Sequence, residues 1–251
     1  MNNIDKKSII KGTISFSLYF ILNYLTLVPF KLLGIDYANL NIIIRQIYLL
    51  IYNLITISVF LFIYKDELKN EFKDFKKNYK KYFNENIKYW LFALAIMYAS
   101  NIVIAAIKYS QTGVISTAEN EQSIHDILVK APIYTYISAA FLAPIIEELT
   151  FRKSLRKIFN NKYVFIIISS LIFGGLHVLT ENAQLIDLLY LIPYCAPGVA
   201  FAYILVKTDN IFNSISLHLL HNTILMTLQL IMLMRGMLWK NSLSYQYWLY
   251  H

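Results

Sequence analysis

Long uncharged apolar segments alternate with short clusters of Lys, Arg, Asp and Glu along the chain. The hydrocarbon core of a membrane is about 30 Å thick, so a helix rising about 1.5 Å per residue needs roughly 20 apolar residues to cross it. Seven segments approach that length. They predict an all-α, polytopic membrane bundle of about seven transmembrane helices. The segments are 12–30, 46–64, 89–107, a fourth that starts at residue 131, 163–180, 188–206 and 210–234.

The positive charges between these segments predict an orientation, because Lys and Arg are retained on the cytoplasmic side of a membrane. With the N-terminus inside, 17 of the 23 Lys and Arg residues fall in the inner connections and six in the outer ones. We therefore expect an N-in, C-out, multi-pass protein. Heavy use of Ile, Lys, Asn and Tyr is typical of an AT-rich genome, which favours a bacterial cytoplasmic membrane.

Composition narrows the classes of function. With 57% hydrophobic and 15% charged residues, the chain does not fit a soluble domain, which typically carries about a quarter charged residues. The net charge of +8 comes without a P-loop, a zinc-finger spacing or a basic helix, so it indicates membrane lipid as a partner and not nucleic acid. The single Cys195 excludes an internal disulfide, a redox pair and a multi-cysteine zinc site.

Charged residues within the fourth apolar segment are the first candidates for chemistry. A charge at the centre of a spanning helix costs about 2.5 to 3.5 kcal/mol on insertion scales, so such residues persist mainly where they pair or act. Glu148 and Arg152 are four residues apart and share a helical face. Glu147 is rotated by about 100° from Glu148. We expect Arg152 to hold Glu148 ionised, which leaves Glu147 free to exchange protons.

Histidines in two further segments lie at helical spacing from possible partners. His177 follows Phe173 by four residues in the fifth segment, and His218 precedes Asn222 by four in the seventh. Each pair therefore shares one face of its helix. The glycines at 174–175 would let another helix approach closely. Counted along the helices from the cytoplasmic side, these side chains and Glu147 lie at depths in the membrane that differ by no more than a few helical turns.

Three motifs at these positions carry a resemblance. EELTFR at 147–152 looks like an EExxxR motif, FGGLH at 173–177 like FxxxH, and HLLHN at 218–222 like HxxxN. In this order they resemble the CAAX protease and bacteriocin-processing (CPBP, or Abi) family of intramembrane endopeptidases. Three motifs in order on consecutive membrane helices form a specific signal, although each alone is common.

The resemblance divides the chain. It implies a catalytic core at 131–235, preceded by a variable part at 1–130 that holds three spans and a basic cytoplasmic segment at 65–88. That basic segment fits an interfacial helix or a solvated linker equally well. The tail at 236–251 fits an aromatic anchor at the membrane interface. Its aromatic residues are Trp239, Tyr245, Tyr247, Trp248 and Tyr250.

The resemblance also implies roles. Glu147 and His177 would activate a water molecule, and His218 with Asn222 would donate to the oxyanion. Glu148 with Arg152 would hold the shape of the site. The chemistry of the residues agrees with these roles. An amide such as Asn222 cannot act as a base, but it can stabilise an oxyanion by a few kcal/mol. Phe173 is expected to pack against the imidazole.

A zinc-dependent version of the same protease is an alternative. Glu147, His177 and His218, joined by Glu148 and His221, have the donor atoms for zinc with one open position. We favour no catalytic metal and no cofactor, as the prenyl-protein members of the family look like metal-independent glutamate proteases. For His221 alone a structural role is favoured. His125 and His251 lie outside the core and receive no role.

The sequence lacks the motifs of other intramembrane proteases and of transporters. No HExxH, GxSxG or GxGD motif occurs, and the polar residues show no repeated halves of the kind a transporter would have.

A non-catalytic immunity or scaffold protein with the same fold is the second hypothesis. For the enzyme, we expect a peptide or membrane-protein substrate, cut near the cytoplasmic leaflet in peptide processing or bacteriocin self-immunity. The sequence predicts no oligomeric state.

Overall fold

The chain folds into a bundle of helices that follow the apolar segments of the sequence. The computed structural model describes residues 5–113, 118–180 and 183–249, with Thr112 and 237–249 described by their backbone alone. No strand occurs in these ranges, so the all-α class is confirmed. The α-helices there are α1 (Lys6–Leu25), α2 (Val28–Leu32), α3 (Ile42–Ile63), α4 (Lys65–Thr112), α5 (Glu119–Lys130), α6 (Pro132–Ile137), α7 (Ala143–Glu147), α8 (Leu155–Ile158), α9 (Lys162–Val178), α10 (Leu191–Thr208) and α11 (Ile211–Leu249).

Five of the predicted spans coincide with helices long and apolar enough to cross a membrane. These are Lys6–Leu32, Ile42–Ile63, Lys65–Gln111, Leu185–Thr208 and Ile211–Gly236. A sixth apolar helix, Lys162–Val178, has 17 residues and is shorter than a typical span. The protein is therefore an integral membrane protein, whereas the count of seven spans and the N-in orientation remain predictions.

The fourth predicted span, which starts at residue 131, is helical throughout 132–158 but not α-helical throughout. Two π-helical turns, Ser138–Leu142 and Glu148–Ser154, separate α6, α7 and α8. We call residues 132–158 the π-interrupted segment. A π turn holds one residue more than an α turn and is often found at functional sites. Here the second π turn begins at Glu148 itself.

The basic segment at 65–88 forms the first half of α4 and lies against the ends of other helices. Glu67 forms ion pairs with Lys11 at 2.7 Å, Lys153 at 3.3 Å and Lys157 at 2.8 Å. Tyr64, directly before this segment, is fully buried, and Leu68 within it is buried as well. The segment is therefore a docked helix and not a solvated linker. Its contact with lipid remains a prediction.

The same face of α4 also caps α11. Glu71 Oε2 accepts a hydrogen bond at 2.9 Å from the backbone N–H of Ile211, in the first turn of α11. The side chain of Asn210 donates to the Glu71 carbonyl at 2.8 Å and to Asp74 Oδ2 at 2.9 Å. A carboxylate at a helix N-terminus is favourable because it accepts from unpaired N–H groups. These contacts gather one end of α1, α4, α8 and α11, which we call the basic end.

The predicted aromatic anchor cannot be compared with side-chain contacts. The backbone of α11 continues as a helix to Leu249. Trp239, Tyr245, Tyr247 and Trp248 lie where the backbone alone is described, and Tyr250 lies outside the described residues. The interfacial role of this tail stays a prediction.

Replacing Glu67 with Gln removes the negative charge shared by three lysines. We expect Glu67→Gln to lower the free energy of unfolding by about 1 kcal/mol, since networks of ion pairs contribute more than isolated surface pairs. Thermal unfolding in detergent measures the change. Asp66→Asn is the matched control, because it removes one charge from the same helical turn at an exposed side chain. Equal melting temperatures for the two variants would contradict the docking role of Glu67.

Candidate active site

The three motifs converge on one cavity in the middle of the bundle. The π-interrupted segment supplies Glu147, α9 supplies His177, and α11 supplies His218 and Asn222. The cavity has a volume of about 350 Å³, within the range of small-molecule and peptide sites. We call it the front cavity. The four residues predicted to be catalytic thus line a common space.

A backbone carbonyl of the π-interrupted segment that lacks a helical partner fixes the side chain of Asn222. The N–H of Ala143 donates to Ser138 O, five residues back, as in a π turn. In this register the next N–H would donate to Ala139 O, but Pro144 has none. The side chain of Asn222 donates to Ala139 O instead, at 2.8 Å. One of the two amide N–H groups is thereby fixed, and the other remains available to a ligand.

Glu148 is fully buried and has three partners. Its Oε1 lies 3.4 Å from Arg152 Nη1 and 2.9 Å from His218 Nδ1. The hydroxyl of Ser214 donates to its other oxygen. The i, i+4 pair predicted from the sequence is therefore present, and two residues of α11 complete its surroundings. A buried carboxylate needs such partners, because an unpaired one costs several kcal/mol.

Arg152 lies between aromatic rings. Its guanidinium carbon is 4.4 Å from the ring centroid of Phe173 and 5.8 Å from that of Phe201. Its Nη2 donates to the carbonyl of Gly198 at 3.4 Å. Arg152 Nε and Nη1 have no hydrogen-bond partner within the described part of the chain. Cation–π contacts with two rings therefore add to the ion pair with Glu148 in stabilising this buried charge.

Glycines let α9 and α10 approach closely around this arginine. A Cβ atom at Gly174 would lie 2.5 Å from the sulfur of Cys195, too close for any real side chain. At Gly175 it would meet Leu179 at 3.6 Å, an ordinary contact. Of the two glycines predicted to allow a close helix, Gly174 does so.

His218 joins the two carboxylates. Its Nδ1 lies 2.9 Å from Glu148 Oε1, and its Nε2 lies 3.5 Å from Glu147 Oε2. Since Glu148 forms an ion pair with Arg152 and accepts a hydrogen bond from Ser214, it acts as an acceptor, and the proton of its contact with His218 belongs to Nδ1. The approach of Nε2 to Glu147 then requires one more proton between them. Whether this proton lies on Glu147 or on His218, the net charge of the cluster is zero. The cluster consists of these two residues with Glu148 and Arg152.

His177 is held in one tautomer. Its Nδ1 lies 2.8 Å from the carbonyl of Phe173, which can only accept, so Nδ1 carries the hydrogen. Nε2 of the neutral ring is therefore a free acceptor at the front cavity. The ring contacts Phe173, with centroids 4.6 Å apart, and stacks on Tyr194 at 5.0 Å. The predicted packing of Phe173 against an imidazole is present.

His221 lines the same cavity but has a different environment. Trp90 Nε1 donates to His221 Nδ1 at 3.2 Å. Because Trp only donates, Nδ1 is an acceptor here. This contact fits the structural role favoured for His221. His125 lies on α5 with an exposed side chain near Asp126, and His251 lies outside the described residues.

Several site residues were missed by the sequence analysis. Ser214 precedes His218 by four residues, so a helical stripe through Ser214, His218 and Asn222 could have revealed it. Phe201 stacks on His218 with ring centroids 4.5 Å apart, yet nothing distinguishes it from other apolar residues of α10. Trp90 lies in the variable part and is brought in by tertiary packing alone.

Within the part of the chain that the structure describes, the geometry does not gather a set of metal ligands. Among the residues that the structure describes, no three His, Cys, Asp or Glu side chains are placed to hold one ion. Glu148 is occupied by Arg152, His218 and Ser214. His221 Nδ1 already accepts from Trp90. The proposed zinc ligands Glu147, His177 and His218 thus line one cavity without forming a ligand cluster.

Beyond the motif residues, the front cavity extends towards α5. It continues between α4 and the outer part of α11, away from the basic end. Residues along this extension include Met97, Asn101, Glu121, Leu225, Gln229 and Met232. Under the predicted N-in orientation, the cavity therefore extends towards the extracytoplasmic side and not towards the cytoplasmic leaflet expected from the sequence.

Comparisons with known proteins agree with the motifs. Residues 129–224 match the family model described as type II CAAX prenyl endopeptidase Rce1-like, which confirms the resemblance to the CPBP family. The chain is 33% identical over 131 residues to "Putative membrane peptidase YdiL" of Bacillus subtilis (strain 168), covering 51% of this chain and 50% of that protein. It is 26% identical over 132 residues to "UPF0177 protein YxdF" of Lactococcus lactis subsp. lactis (strain IL1403), covering 52% of this chain and 70% of that protein.

The extent of these matches is limited. The match to YdiL spans half of that relative's length. No solved structure matches the chain. The matched region ends two residues after Asn222 and contains all three motifs.

Replacing Arg152 with Ala leaves Glu148 buried without its main countercharge. We expect Arg152→Ala to lower the free energy of unfolding by about 3 to 5 kcal/mol, as is typical when one partner of a buried pair is removed. The melting temperature in detergent measures this change. The control is Lys162→Ala, which removes an exposed positive charge one helix away.

A double variant separates the ion pair from the general packing of the site. Glu148→Gln combined with Arg152→Met removes both charges, so it should melt at a higher temperature than Arg152→Ala. A melting temperature of Arg152→Ala equal to that of Lys162→Ala would contradict the role assigned to the pair.

Proposed function

We propose that the protein is an intramembrane endopeptidase that hydrolyses a peptide bond with a water molecule activated by Glu147 and His177. The observation that carries this proposal is the front cavity, where an accessible carboxylate, a histidine with a free acceptor nitrogen and two potential oxyanion donors lie together. Peptide hydrolysis needs these three functions in one place. The resemblance of residues 129–224 to CAAX endopeptidases supports the same reaction.

In the proposed reaction, Glu147 accepts a proton from water while Nε2 of His177 orients the water through a hydrogen bond. The oxygen of the water forms a bond to the carbonyl carbon of the substrate. Negative charge develops on the carbonyl oxygen, and His218 Nε2–H with the second N–H of Asn222 donates to it. The carbon–nitrogen bond then breaks, and Glu147 returns its proton to the leaving nitrogen. The products are a carboxylic acid and an amine, between which one proton then moves to give a carboxylate and an ammonium group.

The pair of Glu148 and Arg152 acts by positioning. Glu148 accepts from Nδ1 of His218, which directs the opposite nitrogen of that ring towards Glu147 and the cavity. Fixed donors of this kind stabilise developing charge without rearranging during the reaction. Glu148, Arg152, Ser214 and Phe173 are therefore positioning residues in this scheme.

The substrate of the proposed enzyme is a peptide or a membrane protein, and membrane lipid surrounds the bundle. The front cavity extends away from the basic end. With the N-terminus inside, the substrate would enter from the extracytoplasmic half of a bacterial cytoplasmic membrane. Peptide processing or self-immunity to a bacteriocin is the proposed role of this cleavage.

Cleavage by purified protein tests the catalytic assignment. The protein is reconstituted in phosphatidylglycerol liposomes and given an internally quenched peptide library with an N-terminal acyl anchor. We expect Glu147→Gln and His177→Ala each to lower kcat by about 100-fold or more, as is typical for loss of a general base. Glu121→Gln is the control, since it removes a carboxylate from the far end of the same cavity.

A rate for Glu147→Gln within a few fold of the wild type would contradict the assignment. It would favour a non-catalytic immunity or scaffold protein. Melting temperatures of all variants, measured beside the rates, separate loss of chemistry from loss of fold.

A chelator distinguishes the proposed mechanism from its zinc-dependent version. We expect the cleavage rate to stay unchanged after prolonged incubation with 1,10-phenanthroline, because the proposed steps use side chains and water alone. The non-chelating 1,7-phenanthroline isomer controls for effects on the membrane. Loss of activity with the chelator alone, restored by added zinc, would contradict a metal-independent mechanism.

A further inference from the structure

A second cavity reaches the site from the opposite side of the π-interrupted segment. It has a volume of about 300 Å³ and lies between α1, α3 and α7. We call it the rear cavity. Its lining includes Asn23, Tyr52, Asn53, Thr56 and Glu147. It runs from Glu147 towards the connection between α1 and α3, within the part of the chain that no motif covers.

Glu147 is the residue that the front and rear cavities share. The carboxylate therefore lies in the wall between them. Its side chain is 17% exposed, whereas that of the neighbouring Glu148 is fully buried. Oε2 faces His218, and Glu147 has no hydrogen bond within the described ranges. A molecule in the rear cavity can thus approach this carboxylate while the front cavity is occupied.

The lining of the rear cavity contains many polar groups beside apolar residues such as Leu49 and Ile146, although both helices cross an apolar region. On their outer faces α1 and α3 expose residues such as Ile21 and Ile55, at 52% and 53% exposure. Towards the cavity they place amides and hydroxyls instead. Polar groups at this depth are costly unless they are hydrogen-bonded or hydrated. The inward side of the α1–α3 pair is therefore suited to water and not to lipid chains.

Hydrogen bonds keep this space open and leave one amide free. The hydroxyl of Tyr52 donates to Leu22 O at 2.6 Å, and that of Tyr48 donates to Thr26 O at 2.5 Å. These bonds tie α3 to the last turn of α1 and to Thr26, which directly follows it. Asn53 has no hydrogen-bond partner among the described residues, and its polar atoms are not sealed from the cavity. A cavity of this volume that offers several polar groups can hold ordered water.

We infer that the rear cavity supplies the hydrolytic water to Glu147 from behind while the substrate fills the front cavity. This inference rests on the proposed endopeptidase function. Each bond cleaved consumes one water molecule, whose hydrogens and oxygen end up on the new amine and carboxylate. A peptide in the front cavity blocks entry from that side, so the next water reaches the carboxylate through the α1–α3 space.

Cysteine labelling tests the water content without requiring activity. Cys195 is the single cysteine, so a Cys195→Ala background permits one new thiol at a time. Asn53→Cys faces the rear cavity, and Leu54→Cys, 46% exposed on the lipid side, is the matched control. In liposomes we expect a small charged methanethiosulfonate reagent to modify Asn53→Cys at least ten times faster than Leu54→Cys. Equal rates, or modification of Asn53→Cys by an apolar maleimide alone, would overturn the inference in favour of a lipid-filled space.

Kinetics test whether this water serves catalysis. We expect Asn53→Leu and Thr56→Val to lower kcat about tenfold with KM unchanged, because the front cavity is intact. Asn53→Ser, which keeps a polar group, should restore most of the rate. Unchanged kcat in Asn53→Leu would overturn the inference even where Glu147→Gln abolishes cleavage. If Asn53→Cys is labelled but the wild type cleaves no peptide, the endopeptidase function is contradicted. The hydrated rear cavity would still be supported.

Discussion

The site depends on burying the Glu148–Arg152 pair without net charge. Each ion costs several kcal/mol to remove from water, and one arginine faces two adjacent glutamates. His218 resolves this imbalance, because a single proton shared with Glu147 brings the four groups to neutrality. The aromatic rings of Phe173 and Phe201 cover the guanidinium, whose remaining donors have little else to contact. Within this neutral cluster Glu147 is the carboxylate that reaches the cavity, as the proposed general base requires, whereas Glu148 is fully buried.

The backbone of the π-interrupted segment converts this electrostatic arrangement into a catalytic geometry. A π turn begins at Glu148, and Pro144 leaves the carbonyl of Ala139 without a helical partner. Asn222 donates to that carbonyl instead, so the irregularity that would weaken a regular helix fixes the amide that serves as an oxyanion donor in the proposed reaction. The front and rear cavities meet at Glu147, one helical turn after Pro144. In this account, substrate and water reach one carboxylate from opposite faces of a single helical segment.

Some of this arrangement follows from the sequence, and some does not. The pairing of Glu148 with Arg152 is set by helical periodicity, and the alternation of apolar and charged segments predicts the membrane bundle. Periodicity cannot show that a stretch such as 148–154 adopts a π turn, because the energetic difference depends on tertiary partners. The contact of Trp90 with His221 joins residues 131 positions apart, and the rear cavity likewise arises from packing between helices that carry no motif.

The claim that Glu147 performs peptide hydrolysis is tested most directly in the host membrane. Peptide termini from membranes and medium are compared by mass spectrometry between strains that express the wild type or Glu147→Gln at equal abundance. The account predicts new termini with the wild type alone, and these termini would name the substrate and the bond that is cut. Identical sets of termini in both strains, together with an intact host phenotype, would contradict it.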